Sequence, residues 1–235
     1  MNISAEERAL YYGERLAEVI RCKTVSKKDG FEAAEFLKLR EVIKKLFPLM
    51  TEKAELKILG DDAYLYKIKG RDESRNVMVM SHHDVVDATG DWQEEPFAGV
   101  IRDGKLWGRG TVDTKTPLFA EFSAIEELLG EGFEFPVNTY LFSSHNEEYG
   151  GDGALLALDY FNENNIKFEW IMDEGGAIID PPMAGISKRC AMMAVHEKGR
   201  CTAQLTASSK PGHAGLEGGH KTPVMRMVAF MAETD

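Results

Sequence analysis

The sequence predicts an α/β fold in which helices cover a mostly parallel central sheet. Strand-like runs of apolar residues alternate with segments of helical periodicity, the order that produces parallel strands joined by helices. The run at residues 76–81 is almost continuously apolar, as expected for a strand buried on both faces. The 235 residues suffice for one domain with a sizeable core, or for one domain and part of a second.

Helices are predicted from capping signals and amphipathic spacing. Ser4, with Glu7 three residues later, forms a capping box for a first helix that extends to about Cys22. A second helix is expected over residues 31–47, ending at Pro48. Further helices are expected over residues 117–129, 153–161 and 222–231.

Strands are expected over residues 54–59, 63–68, 76–81, 137–144, 168–172 and 190–195. Between the third and fourth of these lies an irregular stretch, residues 82–114, that is rich in glycine and proline. After Asp180 the pattern changes, and residues 200–207 alternate between polar and apolar. We therefore expect a first domain over residues 1–197 and the beginning of a second domain over residues 198–235.

The charge and cysteine content of the sequence exclude several classes of binding partner and of structural site. Lysine and arginine number 28 against 39 aspartates and glutamates, a net charge of −11, which argues against a nucleic-acid backbone or an anionic membrane surface as partner. Three cysteines without a CxxC pair predict neither a thiolate zinc site nor a disulfide scaffold. The N-terminal helix mixes acidic and basic residues and does not resemble a signal peptide. We therefore expect a cytoplasmic protein without a membrane span.

Histidines and carboxylates gather at the predicted carboxyl ends of strands, where active sites of open α/β sheets form. Three groups directly follow strands, and a fourth ends the irregular stretch: His82-His83-Asp84, His145-Asn146-Glu147-Glu148, Asp173-Glu174, and Asp113 in GRGTVDTK. Carboxylates that share one cleft repel each other, and divalent cations would relieve that repulsion. Mixed imidazole and carboxylate ligands suit zinc.

The spacing within these groups suggests a division of roles. In the His82-x-Asp84 pair, the histidine can bind a metal while the aspartate accepts its other ring N–H. Of the adjacent Glu147 and Glu148, one can bind metal and the other can transfer protons. Each motif alone also occurs at ordinary surface or turn positions. The prediction depends on all four groups occurring in order.

The strings SHHDVV, PFAG, IRDGKLWGRGTVDTK, NEEYGG and DEGG together resemble metallopeptidase family 20. This dizinc group includes aminoacylase, carboxypeptidase S, glutamate carboxypeptidase and succinyl-diaminopimelate desuccinylase. The sequence is most similar to carboxypeptidase S and the N-acyl amino-acid hydrolases, over about residues 75–235. The resemblance implies a zinc exopeptidase-like fold, with residues 198–235 beginning a small α+β lid domain.

The resemblance implies a site with two Zn²⁺ ions, for which Co²⁺ or Mn²⁺ could substitute. Asp113 would bridge both metals, and Glu148 would complete the protein ligands of the first. Asp173 would bind the other metal together with His82. The spacings along the chain agree with the family pattern: 31 residues from His82 to Asp113, 35 to Glu148 and 25 to Asp173.

The resemblance also implies catalytic roles. Glu147 would be the general base and acid, and Asp84 would orient His82. His213, in SSKPGHAG of the lid, would stabilise the oxyanion, often in the neighbouring subunit's site. The peptide bond after Asp113 is expected to be cis, and a homodimer through the lid domain is expected from the family.

The implied activity is zinc-dependent hydrolysis of an amide bond next to a free amino-acid carboxylate, with a small peptide or an N-acyl amino acid as substrate. Family chains are nearly twice as long, and their C-terminal part supplies a last histidine ligand that no residue after His220 can replace. We therefore expect a fragment, a shortened form, or a chain that relies on another. Two alternatives remain open: a non-catalytic protein that binds metal or a partner, and a dizinc aminopeptidase.

Overall fold

The computed structural model describes residues 4–175, 178–181, 184–196, 199, 202–208 and 222–234. The chain divides into two compact units, Met1–Ala191 and Met192–Asp235. The first unit contains the central sheet and every strand named below. The domain boundary expected after residue 197 falls on residues outside the described ranges and stays a prediction.

The described residues form six α-helices and eleven strands. The helices are α1 (Ala5–Ile20), α2 (Ala33–Leu46), α3 (Pro48–Lys53), α4 (Lys115–Gly130), α5 (Gly153–Glu163) and α6 (Pro223–Thr234). The strands are β1 (Ser26–Lys27), β2 (Gly30–Phe31), β3 (Glu55–Leu59), β4 (Ala63–Ile68), β5 (Asp72–His82), β6 (Val100–Arg102), β7 (Lys105–Trp107), β8 (Val137–Ser144), β9 (Ile171–Met172), β10 (Ile178–Ile179) and β11 (Cys190–Ala191).

The central sheet has five strands in the order β3-β4-β8-β5-β9. Strand β5 pairs in parallel with both β8 and β9, whereas β4 is antiparallel to its neighbours β3 and β8. Four strands therefore point the same way and β4 runs against them. The predicted α/β fold with helices on a largely parallel sheet is confirmed, with the sheet mixed through β4.

Strands β4 and β8 in the middle of the sheet are buried on both faces, and the period-two alternation of side chains divides the core accordingly. Tyr64 and Tyr66 of β4 pack with helices α1 to α4, whose buried residues include Leu39, Ile43, Phe119 and Phe122. On the opposite face, Tyr140 and Phe142 of β8 pack with Ala157 and Phe161 of α5. All eight residues of β8 are buried, so the strand that carries the Glu147 turn at its end is fixed on both sides.

Most predicted elements agree with the structure. In the capping box of α1, the N–H of Ser4 donates to Glu7 Oε2 at 2.8 Å and the N–H of Glu7 donates to Ser4 Oγ at 3.2 Å. The predicted strands at residues 63–68 and 137–144 match β4 and β8. The strand expected at 168–172 is confined to Ile171–Met172, although the carbonyl of Trp170 also accepts from the N–H of Met78.

Several short elements were not predicted, among them α3, the strands β1, β2, β6 and β7, and β10. Pro48 follows the end of α2, as expected, and is also the first residue of α3. Proline suits the first turn of a helix, because its missing N–H would have no partner within the helix there. The irregular stretch contains the hairpin of β6 and β7, whose turn places Asp103 and Gly104 at positive φ. Strands β1 and β2, of two residues each, form an antiparallel ribbon. None of the described helices combines the length and apolar character needed to cross a membrane.

Candidate metal centre

The candidate site lies at the edge of the sheet where three parallel strands end. His82 is the last residue of β5 and stands opposite Ser144, the last residue of β8. Met172 ends β9 opposite Val79 of β5. Because the carboxyl ends of these strands meet at one edge, the groups that follow them in sequence converge there.

Three carboxylates surround one nitrogen of His82. Its Nε2 atom is 3.0 Å from Asp113 Oδ1, 3.3 Å from Glu174 Oε1 and 3.7 Å from Glu147 Oε2. Ligand atoms of His82, Asp113 and Glu174 all lie within 4.8 Å of each other. One imidazole together with several carboxylates is a donor set that fits a zinc-type cation.

The other ring nitrogen of His82 faces Asp84. Nδ1 is 3.0 Å from the carbonyl oxygen of Asp84 and 3.3 Å from its Oδ1. With a metal bound, an acceptor on Nδ1 would keep the proton there and leave the lone pair of Nε2 for the metal. This geometry is the one that the expected orienting role of Asp84 requires. The role itself stays a prediction.

The charge around His82 changes its protonation. Burial lowers the pKa of His82, but the hydrogen bond with Asp84 and the charges of Glu174 and Asp84 outweigh it and raise the pKa to about 10. Glu174 accepts from the backbone N–H of His82 at 2.9 Å, and burial raises the pKa of this carboxyl to about 7. The raised pKa values mean that His82 and Glu174 bind protons more readily than usual. These protons reduce the repulsion between the carboxylates, as a bound metal would.

Asp84 also fixes the turn that carries the two adjacent glutamates. Its Oδ1 accepts from the N–H of Glu147 at 3.1 Å, and its Oδ2 accepts from the N–H of Glu148 at 3.2 Å and from Ser26 Oγ at 2.5 Å. Burial raises the pKa of Asp84, but the hydrogen bonds with His82 and Ser26 lower it below the usual value. One buried carboxylate therefore connects the histidine, the glutamate turn and the segment after α1.

Glu148 and Asp173, two of the ligands that the resemblance implies, lie outside the three-residue cluster. Burial raises the pKa of Glu148, and the charge of Asp113 raises it further. Asp173 lines a cleft of about 280 Å³ together with His82, Glu147 and Glu174. The ligand roles of Glu148 and Asp173 stay predictions.

Sequence analysis did not select Glu174 or Ser26. Asp173 and Glu174 directly follow β9. Side chains alternate between the two faces of a strand, but the sequence does not define where β9 ends, so it does not predict which of the two carboxylates points into the cleft. Ser26 lies more than fifty residues before Asp84 and belongs to no motif.

The predicted cis peptide bond between Asp113 and Thr114 is confirmed. His213 lies outside the described residues.

Comparison with known proteins agrees with this geometry. Residues 78–214, more than half of the chain, match Peptidase family M20/M25/M40. Probable carboxypeptidase S-like 2 of Dictyostelium discoideum is 37% identical over 213 residues, which are 86% of this chain and 41% of that protein. N-fatty-acyl-amino acid synthase/hydrolase PM20D1 of Xenopus tropicalis is 32% identical over 218 residues, 90% of this chain and 43% of that protein.

Among solved structures, the M20 family metallo-carboxypeptidase Sso-CP2 from Sulfolobus solfataricus superposes with a TM-score of 0.58 and 27% identity. The match covers 76% of this chain and 39% of that protein. The chain belongs to Peptidase family M20/M25/M40. It spans about two-fifths of the length of the relatives that it matches.

Proposed function

We propose that the chain contributes the metal site of a hydrolase that cuts an amide bond next to a free amino-acid carboxylate. The observation that carries this proposal is the convergence of Asp113, Glu147 and Glu174 on Nε2 of His82 at the carboxyl edge of the sheet. Family membership supports the reaction class, because the relatives are named as carboxypeptidases and acyl-amino-acid hydrolases.

His82, Asp113 and Glu174 would hold a first metal ion, and Asp113 with Glu148 would hold a second. Zinc is the ion that we propose, because one imidazole with several carboxylates matches its preferred ligands, and Co²⁺ or Mn²⁺ would also suit them. Bound zinc would supply Lewis acidity and would lower the pKa of a water molecule in the site.

Glu147 is the residue that we propose as general base and acid. Its side chain is 58% exposed and lines the cleft, with Oε2 at 3.7 Å from Nε2 of His82. There it can accept a proton from water and return it to the departing amine. The hydrogen bond from its N–H to Asp84 holds the turn in place while the side chain stays accessible.

The side chains that line the cleft indicate which part of a substrate the cleft can bind. The apolar side chains of Met80 and Ala154 also line the cleft, and they would contact an acyl or side-chain group of the substrate. Among the described residues that line the cleft, no lysine or arginine is present to bind a substrate carboxylate. In the proposed reaction, that contact must come from bound metal or from residues beyond those described.

The same acidic lining favours a second candidate, a metal-dependent aminopeptidase. Three acidic side chains at the cleft, Glu147, Asp173 and Glu174, would attract the ammonium of a substrate with a free amine. Two bound dications would cancel much of this attraction. The preference between a free amine and a free carboxylate therefore separates the two candidates.

A three-substrate assay tests the proposal. The zinc-loaded chain is incubated with an N-acyl amino acid, with the same compound carrying a carboxamide in place of its carboxylate, and with a dipeptide amide that has a free amine. Hydrolysis of the first compound alone supports the proposal, and hydrolysis of the third alone supports the aminopeptidase. A chain that retains zinc but cuts none of them shows that the metal site does not act without further residues, and a chain that binds no zinc contradicts the proposal.

A further inference from the structure

Lys115 is a fully buried lysine at the first position of α4, two residues after Asp113. Its Nζ donates to the backbone carbonyl of Cys22 at 2.5 Å and to that of Val19 at 3.3 Å. Both carbonyls lie at the C-terminus of α1, where the helix dipole concentrates partial negative charge. A buried ammonium is costly unless it is hydrogen-bonded, so these two contacts fix its position.

The backbone and stem of Lys115 hold the loop that carries Asp113. The N–H of Lys115 donates to the carbonyl of Gly110 at 2.9 Å and closes the loop between them. The stem packs so tightly on this turn that a Cβ added at Gly110 would lie 3.1 Å from Cδ of Lys115. Movement of the lysine would therefore displace the Asp113 loop.

The segment after α1 leads to the opposite side of the same site. Ser26 donates to Oδ2 of Asp84, and the carbonyl of Thr24 accepts from the N–H of Val85 at 2.9 Å. Thr24 Oγ1 also donates to the carbonyl of His83 at 2.5 Å. The α1 terminus that Lys115 binds thus continues directly into the residues that hold Asp84 and the end of β5.

We infer that Lys115 is a positioning residue, which sets the Asp113 carboxylate at its distance from His82 by tying the Asp113 loop to the C-terminus of α1. Asp113 itself is largely exposed on the loop, so the contacts of the loop must place its carboxylate. This inference rests on the proposed function, because the geometry that Lys115 sets is that of the proposed metal site.

The test is a calorimetric titration of zinc into the wild-type chain and into Lys115→Met, which keeps the stem and removes the ammonium. We expect the zinc Kd to rise roughly tenfold to 100-fold, as is usual when the support of a metal ligand is removed. Leu118→Ala is the matched control, because Leu118 is buried in the same helix and belongs to the core. It should lower thermal stability and leave the zinc Kd unchanged.

A Lys115→Met chain that binds zinc with the wild-type Kd overturns the inference and leaves the proposed function intact. An equal rise of Kd in Leu118→Ala also overturns it, since the effect would then reflect stability alone. A wild-type chain that binds no zinc contradicts the proposed function and removes this inference with it. If Lys115→Met does not fold, Lys115→Gln is titrated under the same criteria, because its shorter amide cannot reach both carbonyls.

Discussion

Oδ1 of Asp84 lies 3.3 Å from Nδ1 of His82, and both side chains are almost completely buried. The same carboxylate accepts the backbone N–H groups of Glu147 and Glu148. The position of the candidate metal ligand and that of the candidate catalytic turn therefore depend on one side chain.

Replacing Asp84 by asparagine should weaken metal binding while keeping the size of the side chain. The amide lacks the charge that keeps the proton on Nδ1 of His82, so we expect the zinc Kd to rise roughly tenfold to 100-fold. Calorimetric titration measures this change. Asp91→Asn, at an exposed position, is the control and should bind zinc as the wild type does. Equal affinities of the two variants would rule out the orienting role.

Removing the Glu147 carboxylate should stop turnover without removing metal. With Glu147→Ala we expect a loss of kcat of about 10²- to 10⁴-fold, the usual contribution of a positioned general base. The measurement is hydrolysis of the best substrate by zinc-loaded protein, with metal content determined on the same sample. Glu134→Ala, also an exposed glutamate, should keep full activity. Normal rates from Glu147→Ala would remove the role assigned to this residue.

Two single variants distinguish Glu174, which lies next to His82 in the structure, from Asp173, the metal ligand that the resemblance implies. Glu174 Oε1 is 3.3 Å from Nε2 of His82, so Glu174→Gln should reduce zinc affinity more than Asp173→Asn if the geometry of the structure persists with metal bound. The measurement is the zinc Kd of each variant. A larger loss in Asp173→Asn would show instead that metal binding selects Asp173.

The stability of the metal-free protein should depend on Glu121. Burial, with smaller contributions from the charges of Glu174 and Asp173, raises the pKa of Glu121 to about 8 although Ser81 donates to it at 3.0 Å. A raised pKa means that the folded chain binds a proton that the unfolded chain releases. This contribution is complete below about pH 4.5 and is lost as the pH rises through about 8.

Glu121→Gln should remove that part of the pH dependence. Between about pH 5 and pH 8, we expect the free energy of unfolding of the wild type to fall relative to that of the variant by about 1–3 kcal/mol. Urea denaturation of both proteins at several pH values measures the difference, and Glu163→Gln serves as an exposed control. A difference that is constant with pH would show that Glu121 titrates normally.

The sequence predicted the elements whose signals are local. The Ser4–Glu7 capping box and the apolar runs of β4 and β8 specify their structure within a few residues, and the structure matches them. The hairpin of β6 and β7 was missed because three-residue strands are too short to establish a period.

In the site, the sequence pattern identified the strand ends but not the orientation of each side chain. Glu174 accepts from the backbone N–H of His82, 92 residues earlier in the chain, and such a contact between distant strand ends cannot be predicted from the local sequence. Ser26 and Lys115 act through contacts between segments far apart in sequence, from Ser26 to Asp84 and from Lys115 to the end of α1. Tertiary packing alone brings these residues to the site.

The most direct test of the central claim is the zinc content of the purified chain and of its His82→Ala variant, by elemental analysis after dialysis against trace zinc. The account predicts about two zinc ions per wild-type chain and a loss of zinc in the variant. About one zinc in the wild type would support a centre at His82 and contradict the second ion. Background zinc in the wild type, or equal zinc in both proteins, would contradict a metal centre at His82.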